Sequence, residues 1–134
     1  MEEFKYNEKI AILRILQEIQ NADNIVRESE VAYMNEVIQS FGLDDGCKED
    51  VEHLMTLQAL ATIRGMSVEQ KRGITKMMGK MIVADQDINY NEVKLYNAFC
   101  ESCNIDKDFN IEDYPEYTLS GVFVNPEDLM NGLS

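Results

Sequence analysis

The sequence has no tryptophan, one histidine, two prolines and three cysteines in 134 residues. Each scarcity excludes something. The prolines, Pro115 and Pro126, both fall late, so the long stretch before them is free of the strongest helix breaker. The lone histidine, His53, belongs to no Ser/His/Asp arrangement, and no glycine-rich phosphate loop appears, so nothing in the chain announces an enzyme. An odd number of cysteines fits a reducing compartment better than a disulfide framework. Positive charge is also short, with 12 Lys and Arg against 25 Asp and Glu and a net charge of −13. Such a field opposes encounter with nucleic acid or an anionic membrane and leaves cations and basic protein surfaces as suitable partners. No apolar run approaches the ~20 residues that span a bilayer, and the opening MEEFKYNEKI lacks the basic-then-apolar order of a leader. The expectation is a cytoplasmic protein that does not insert in membranes.

What the chain does have is an apolar fraction of 45%, enough for one core and one domain over residues 1–134. It also has an internal repeat. ADNIVRESEV, from Ala22, aligns with ADQDINYNEV, from Ala84, without a gap at an offset of 62 residues. Going backward, Ile12, Ile15, Leu16 and Ile19 meet Ile74, Met77, Met78 and Met81, which are i, i+3, i+4, i+7 stripes of amphipathic helices. Going forward, Val37, Ile38 and Leu43 meet Phe99, Cys100 and Ile105. Each copy, residues 10–44 and 72–106, reads as helix, acidic turn, helix, the second helix ending at Gly42 or Asn104 in a left-handed cap. A connecting helix is expected over Lys48 to Arg64, and Ser67 with Gln70 forms a capping box for the next helix. The cations from Arg64 to Lys80 read as a solvated helix face. Residues 107–134 read as an irregular tail, with Val122 to Val124 extended and a helical turn over Asn125 to Gly132. The fold class is therefore all-α, a compact bundle of two helical hairpins about a pseudo-twofold axis.

The acidic turns hold the candidate site. Glu30 and Glu92 lie in first turns of helices, where a carboxylate suits the helix dipole, and Asn89 with Glu92 spells a capping box. Asp23 and Asp85 lie where helices end, the unfavourable side for negative charge, unless they serve as Asx-turns. A pseudo-twofold would bring Asp23, Glu30, Asp85, Asp87 and Glu92 together as hard oxygen ligands for Ca²⁺, Mg²⁺ or Mn²⁺. An EF-hand is excluded, because Tyr90 stands in place of the turn glycine and Tyr96 in place of the bidentate glutamate. CESC, at Cys100 to Cys103, with Cys47 and His53 has the residue types of a zinc site, but the repeat sets Cys100 and Cys103 at the core positions of Ile38 and Phe41.

ADNIVRESE and ADQDINYNE, each followed by an apolar stripe, resemble the signature of the TerB-like tellurite-resistance family, approximately A-D-G-x-I-D-x-x-E. The same domain precedes a membrane-anchored DnaJ-like co-chaperone. The likeness covers about residues 10–106, with Asn24 and Gln86 where the family has glycine and Asn89 where it has aspartate. It implies an all-helical domain, an acidic cluster that binds divalent metal, and a non-enzymatic role in stress response or in assemblies beside a membrane. The expected function is a cation-binding sensor or adaptor. The alternatives are a metal-free interaction module with an acidic surface and, third, a zinc or thiol protein built on Cys100 and Cys103.

Overall fold

The computed structural model describes residues 3–121. Among these, six helices run α1 (Tyr6–Gln20), α2 (Glu28–Ser40), α3 (Cys47–His53), α4 (Thr56–Arg64), α5 (Val68–Val83) and α6 (Tyr90–Cys103), with strands β1 (Asp87–Asn89) and β2 (Thr118–Ser120). The all-α expectation holds. Helix α1 lies at the centre, touching α2, α3, α4, α5 and α6. Its burial exceeds the one-sided stripe that the periodicity predicts: Ile10, Ala11 and Leu13 are buried along with Ile12, Ile15, Leu16 and Ile19. A helix packed on several sides needs apolar residues beyond one stripe, and past the first turn only the face with Arg14, Gln17 and Glu18 stays partly exposed. Met78 and Met81 are fully buried beside it, as core filling.

The connecting helix differs from expectation, because the chain breaks at Leu54–Met55 into α3 and α4. Leu54 is extended at ψ 125° and Met55 at ψ 145°, and Gln58 Oε1 accepts from the Met55 N–H at 3.2 Å. The break lets α4 turn its Ala59 and Ile63 onto α1 while α3 buries Cys47 and Val51 separately. Ser67 and Gln70 form the expected capping box, with reciprocal bonds of 3.1 and 3.0 Å. The two copies close alike: Gly42 and Asn104 have φ of 71° and 57°, and Leu43 and Ile105 donate to the Ile38 and Cys100 carbonyls.

Beyond these caps the two copies diverge. The first copy leads into α3. The second leads into the tail, which is more ordered than an irregular segment. The Tyr96 hydroxyl donates to Asp108 Oδ1 and accepts from the Asp108 and Phe109 N–H groups at 3.0–3.1 Å. Phe109 packs edge-on to Tyr96 and stacks on Tyr114, which leans on Tyr117. Then β2 pairs in parallel with β1, a pairing that three residues flanked by turn signals did not reveal in the sequence. The expected extended piece at Val122 to Val124 and the turn over Asn125 to Gly132 lie outside the described residues. Replacing Tyr96 by Phe leaves two N–H groups without their acceptor, and a loss of about 1–2 kcal/mol in chemical denaturation is expected. An unchanged midpoint would show that the tail contributes nothing to folding.

Candidate functional site

Both acidic turns fold by the same local chemistry. Asn24 and Gln86 each sit at φ 61°, in the left-handed region that glycine fills in the resembling signature. Asp23 Oδ1 accepts from the Ile25 N–H at 3.0 Å, and Asp85 Oδ1 from the Asp87 N–H at 3.1 Å. The two aspartates are thus Asx-turns just beyond their helices, where the dipole penalty has faded. Their remaining oxygens share one cation. Arg27 Nη1 meets Asp23 Oδ2 at 2.8 Å, and Arg27 Nε meets Asp85 Oδ2 at 2.8 Å, so one guanidinium joins the two copies. Burial pulls this guanidinium down, but the hydrogen bond and charge of Asp23, with the charges of Asp85 and Glu30, more than offset it and hold it above its ordinary value.

The glutamates are the surprise. Neither serves as a cap: the Asn89 side chain caps α6 by accepting from the Asn91 N–H at 2.8 Å, while Glu92 turns inward, 1% exposed, to face Glu30, 0% exposed. Equivalent residues of two copies can face each other only near the axis that exchanges the copies, so this pair marks the pseudo-twofold. Arg27 Nη1 reaches Glu30 Oε1 no closer than 3.7 Å, too far for a hydrogen bond. Glu30 Oε1 and Oε2 and Glu92 Oε1 are all buried with no donor. Burial and the neighbouring Glu30 push the Glu92 carboxyl up to about 10, and burial raises Glu30 as well. At neutral pH one proton between them is the cheapest remedy, with Glu92 donating to Glu30.

Of the five residues expected to converge, Asp23, Glu30, Asp85 and Glu92 do so and Asp87 does not. Strand alternation turns Asp87 toward the tail, where Thr118 Oγ1 and Ser120 Oγ donate to its two oxygens at 2.7 and 2.6 Å. Arg27 was missed, although it is the one cation inside either acidic turn and stands where the second copy has Asn89. The donor set, four carboxylates with three orphaned buried oxygens, suits a hard divalent cation. However, no three acidic, Cys or His side chains among the described residues stand close enough together to hold an ion. Binding one therefore requires the carboxylates to draw together and the guanidinium between Asp23 and Asp85 to move.

Cys100 and Cys103 are buried at the core positions that the repeat predicts, and burial pushes Cys100 up to about 11, away from reactive thiolate behaviour. His53 is exposed on α3. Among the described residues no helix is long and apolar enough to cross a membrane.

No family model and no curated protein matches the chain. The fold is similar to that of a crystal structure of a protein of unknown function from Porphyromonas gingivalis W83, with a TM-score of 0.70 and 24% identity over 85% of this chain and 94% of that one.

Proposed function

We propose that this chain is a non-enzymatic, TerB-like cytoplasmic adaptor or sensor whose paired acidic turns take up a divalent cation, Ca²⁺, Mg²⁺ or Mn²⁺. The observation that carries the reading is the buried Glu30–Glu92 pair, three of whose carboxylate oxygens have no donor beyond the proton the pair shares. Buried acceptors of this kind cost about 1–3 kcal/mol each when unmet, and an ion is one of the few things that satisfies several at once. Glu30 and Glu92 would hold it from the axis, with Asp23 and Asp85 released from Arg27 to complete the set. The bound ion would supply positive charge to a cluster that otherwise repels itself, fixing the two hairpins relative to one another. A protein partner would then read that state, and the acidic surface favours a basic one, beside a membrane or free.

The test is thermal unfolding of metal-stripped protein with each ion in turn. A concentration-dependent rise in midpoint is expected, lost in the Asp23→Asn, Asp85→Asn double variant. No rise with any ion, or an undiminished rise in that variant, rejects the site. A second reading is favoured by Arg27 itself, whose 2.8 Å bonds to both aspartates make it a resident cation. In that case the domain is a metal-free interaction module, and its partner capture depends on salt while its unfolding ignores divalent ions.

A further inference from the structure

A groove of about 280 Å³ opens between α1, α2 and α3, walled by Leu13, Gln17, Val31, Met34 and Ile38 and edged by Val26. Its meaning comes from the repeat. At the offset of 62 residues, Leu13, Gln17, Met34 and Ile38 correspond to Thr75, Gly79, Tyr96 and Cys100 of the second copy. There the same groove is full: Thr75 Oγ1 bonds Asp108, Phe109 lies over Gly79 and against Tyr96, and Tyr114 stacks behind Phe109. The residue in register with Phe109 is Cys47, which lines the open groove and is too small to fill it. The strand edges tell the same story. Ile88, in β1, is 0% exposed, and its strand is paired by β2. Its counterpart Val26 is 60% exposed and Ile25 55%, in a segment that leads to the extended Arg27 and pairs with no strand among the described residues. Among the described residues one copy is completed by the chain's own tail, while the other has α3 in its place, with no Phe, Tyr or Trp and no paired strand.

We propose that this first-copy groove docks an extended segment of a partner protein, an aromatic side chain seated between Gln17 and Met34 followed by a short strand laid parallel to residues 25–27. The occupant's chemistry is read from what fills the second copy, an aromatic anchor, then Thr118–Ser120 as strand, with main-chain bonds giving affinity and the anchor giving specificity. The tail's own acidic residues have no use here. Asp108 bonds Thr75 and Tyr96, whose counterparts Leu13 and Met34 offer no donor, and the net charge of −13 favours a basic segment.

The probe is a synthetic peptide copying residues 108–120 with Asp108, Glu112, Asp113 and Glu116 replaced by lysine, titrated into the ¹⁵N-labelled full chain. Saturable amide shifts at Leu13, Gln17, Val26, Val31 and Met34 are expected. Affinity should fall at least about ten-fold for a peptide whose three aromatics are alanine, and likewise in Gln17→Trp, which fills the groove. Val26→Asp, at an exposed position, should weaken binding without touching the fold. The inference is overturned by an absence of shifts, by shifts confined to the α5–α6 face where the tail sits, or by binding that neither variant weakens. It is equally overturned if the groove amides shift with protein concentration alone, which would make a second copy the occupant. Truncation after Gly121 that perturbs the same amides would assign the groove to the chain's own C-terminal residues.

Discussion

Arg27→Ala is expected to lower the stability of the metal-free protein by about 3–4 kcal/mol at pH 7, the size of effect seen when one partner of a buried ion pair is removed. Arg27 is only partly covered, but its partners are more deeply set: the Asp23, Glu30 and Asp85 side chains are 7%, 0% and 12% exposed. Without the guanidinium these carboxylates and Glu92 face one another with no cation. The same deletion clears the space that a divalent ion would need. Millimolar Ca²⁺, Mg²⁺ or Mn²⁺ should therefore restore much of the lost stability in Arg27→Ala, and with smaller gain in the parent, where the ion must first displace the arginine. Denaturant titrations of both proteins with and without each ion measure the difference. Equal destabilisation with and without ions would favour the metal-free reading and leave Arg27 as a structural tie between the hairpins.

Glu92→Gln should act in the opposite direction, raising stability at pH 7 by about 2–3 kcal/mol in the absence of metal. The sign comes from proton counting. The Glu92 carboxyl sits at about 10 in the folded protein against an ordinary 4.5, so between these values the native state holds a proton that the unfolded chain has released. Stability from this group is fully present below pH 4.5 and is lost as pH rises toward 10. Glutamine mimics the protonated acid, keeps a donor for Glu30 and needs no proton, so its stability curve should be flatter across that range. Unfolding free energies measured from pH 5 to pH 9 decide the matter, and parallel curves for the two proteins would show that Glu92 is charged when folded. The same variant should weaken any cation-dependent rise in midpoint, since amide oxygen replaces carboxylate.

These expectations reverse the reading that the acidic turns invite. From the sequence, Glu30 and Glu92 are satisfied by helix dipoles, and Asp23 and Asp85 are the residues in want of an explanation. In the structure the aspartates are the satisfied pair, through Asx-turns and Arg27, while the glutamates are buried with only a shared proton between them. The position of a carboxylate along a helix was legible, because it depends on spacing. Which way its side chain points depends on where the other hairpin lies. The helices, the Ser67 cap, the left-handed ends at Gly42 and Asn104, and the core placement of Cys100 and Cys103 all followed from periodicity and local turn chemistry. The break at Leu54–Met55 did not, since neither residue is a helix breaker and the bend answers to packing on α1. Nor did the pairing of β1 with β2, whose partners stand far apart in sequence and are only three residues long.

Helix α1 also sets an order of events during synthesis. It leaves the ribosome before the elements that bury it, and its partners extend as far as α6, ending at Cys103. Until α4 and α5 emerge, Ile10, Ile12, Leu13, Ile15, Leu16 and Ile19 lack most of the surface that buries them. An apolar helix is thus made well ahead of most of its cover, and the nascent chain presents a surface for holding chaperones until α4 and α5 follow.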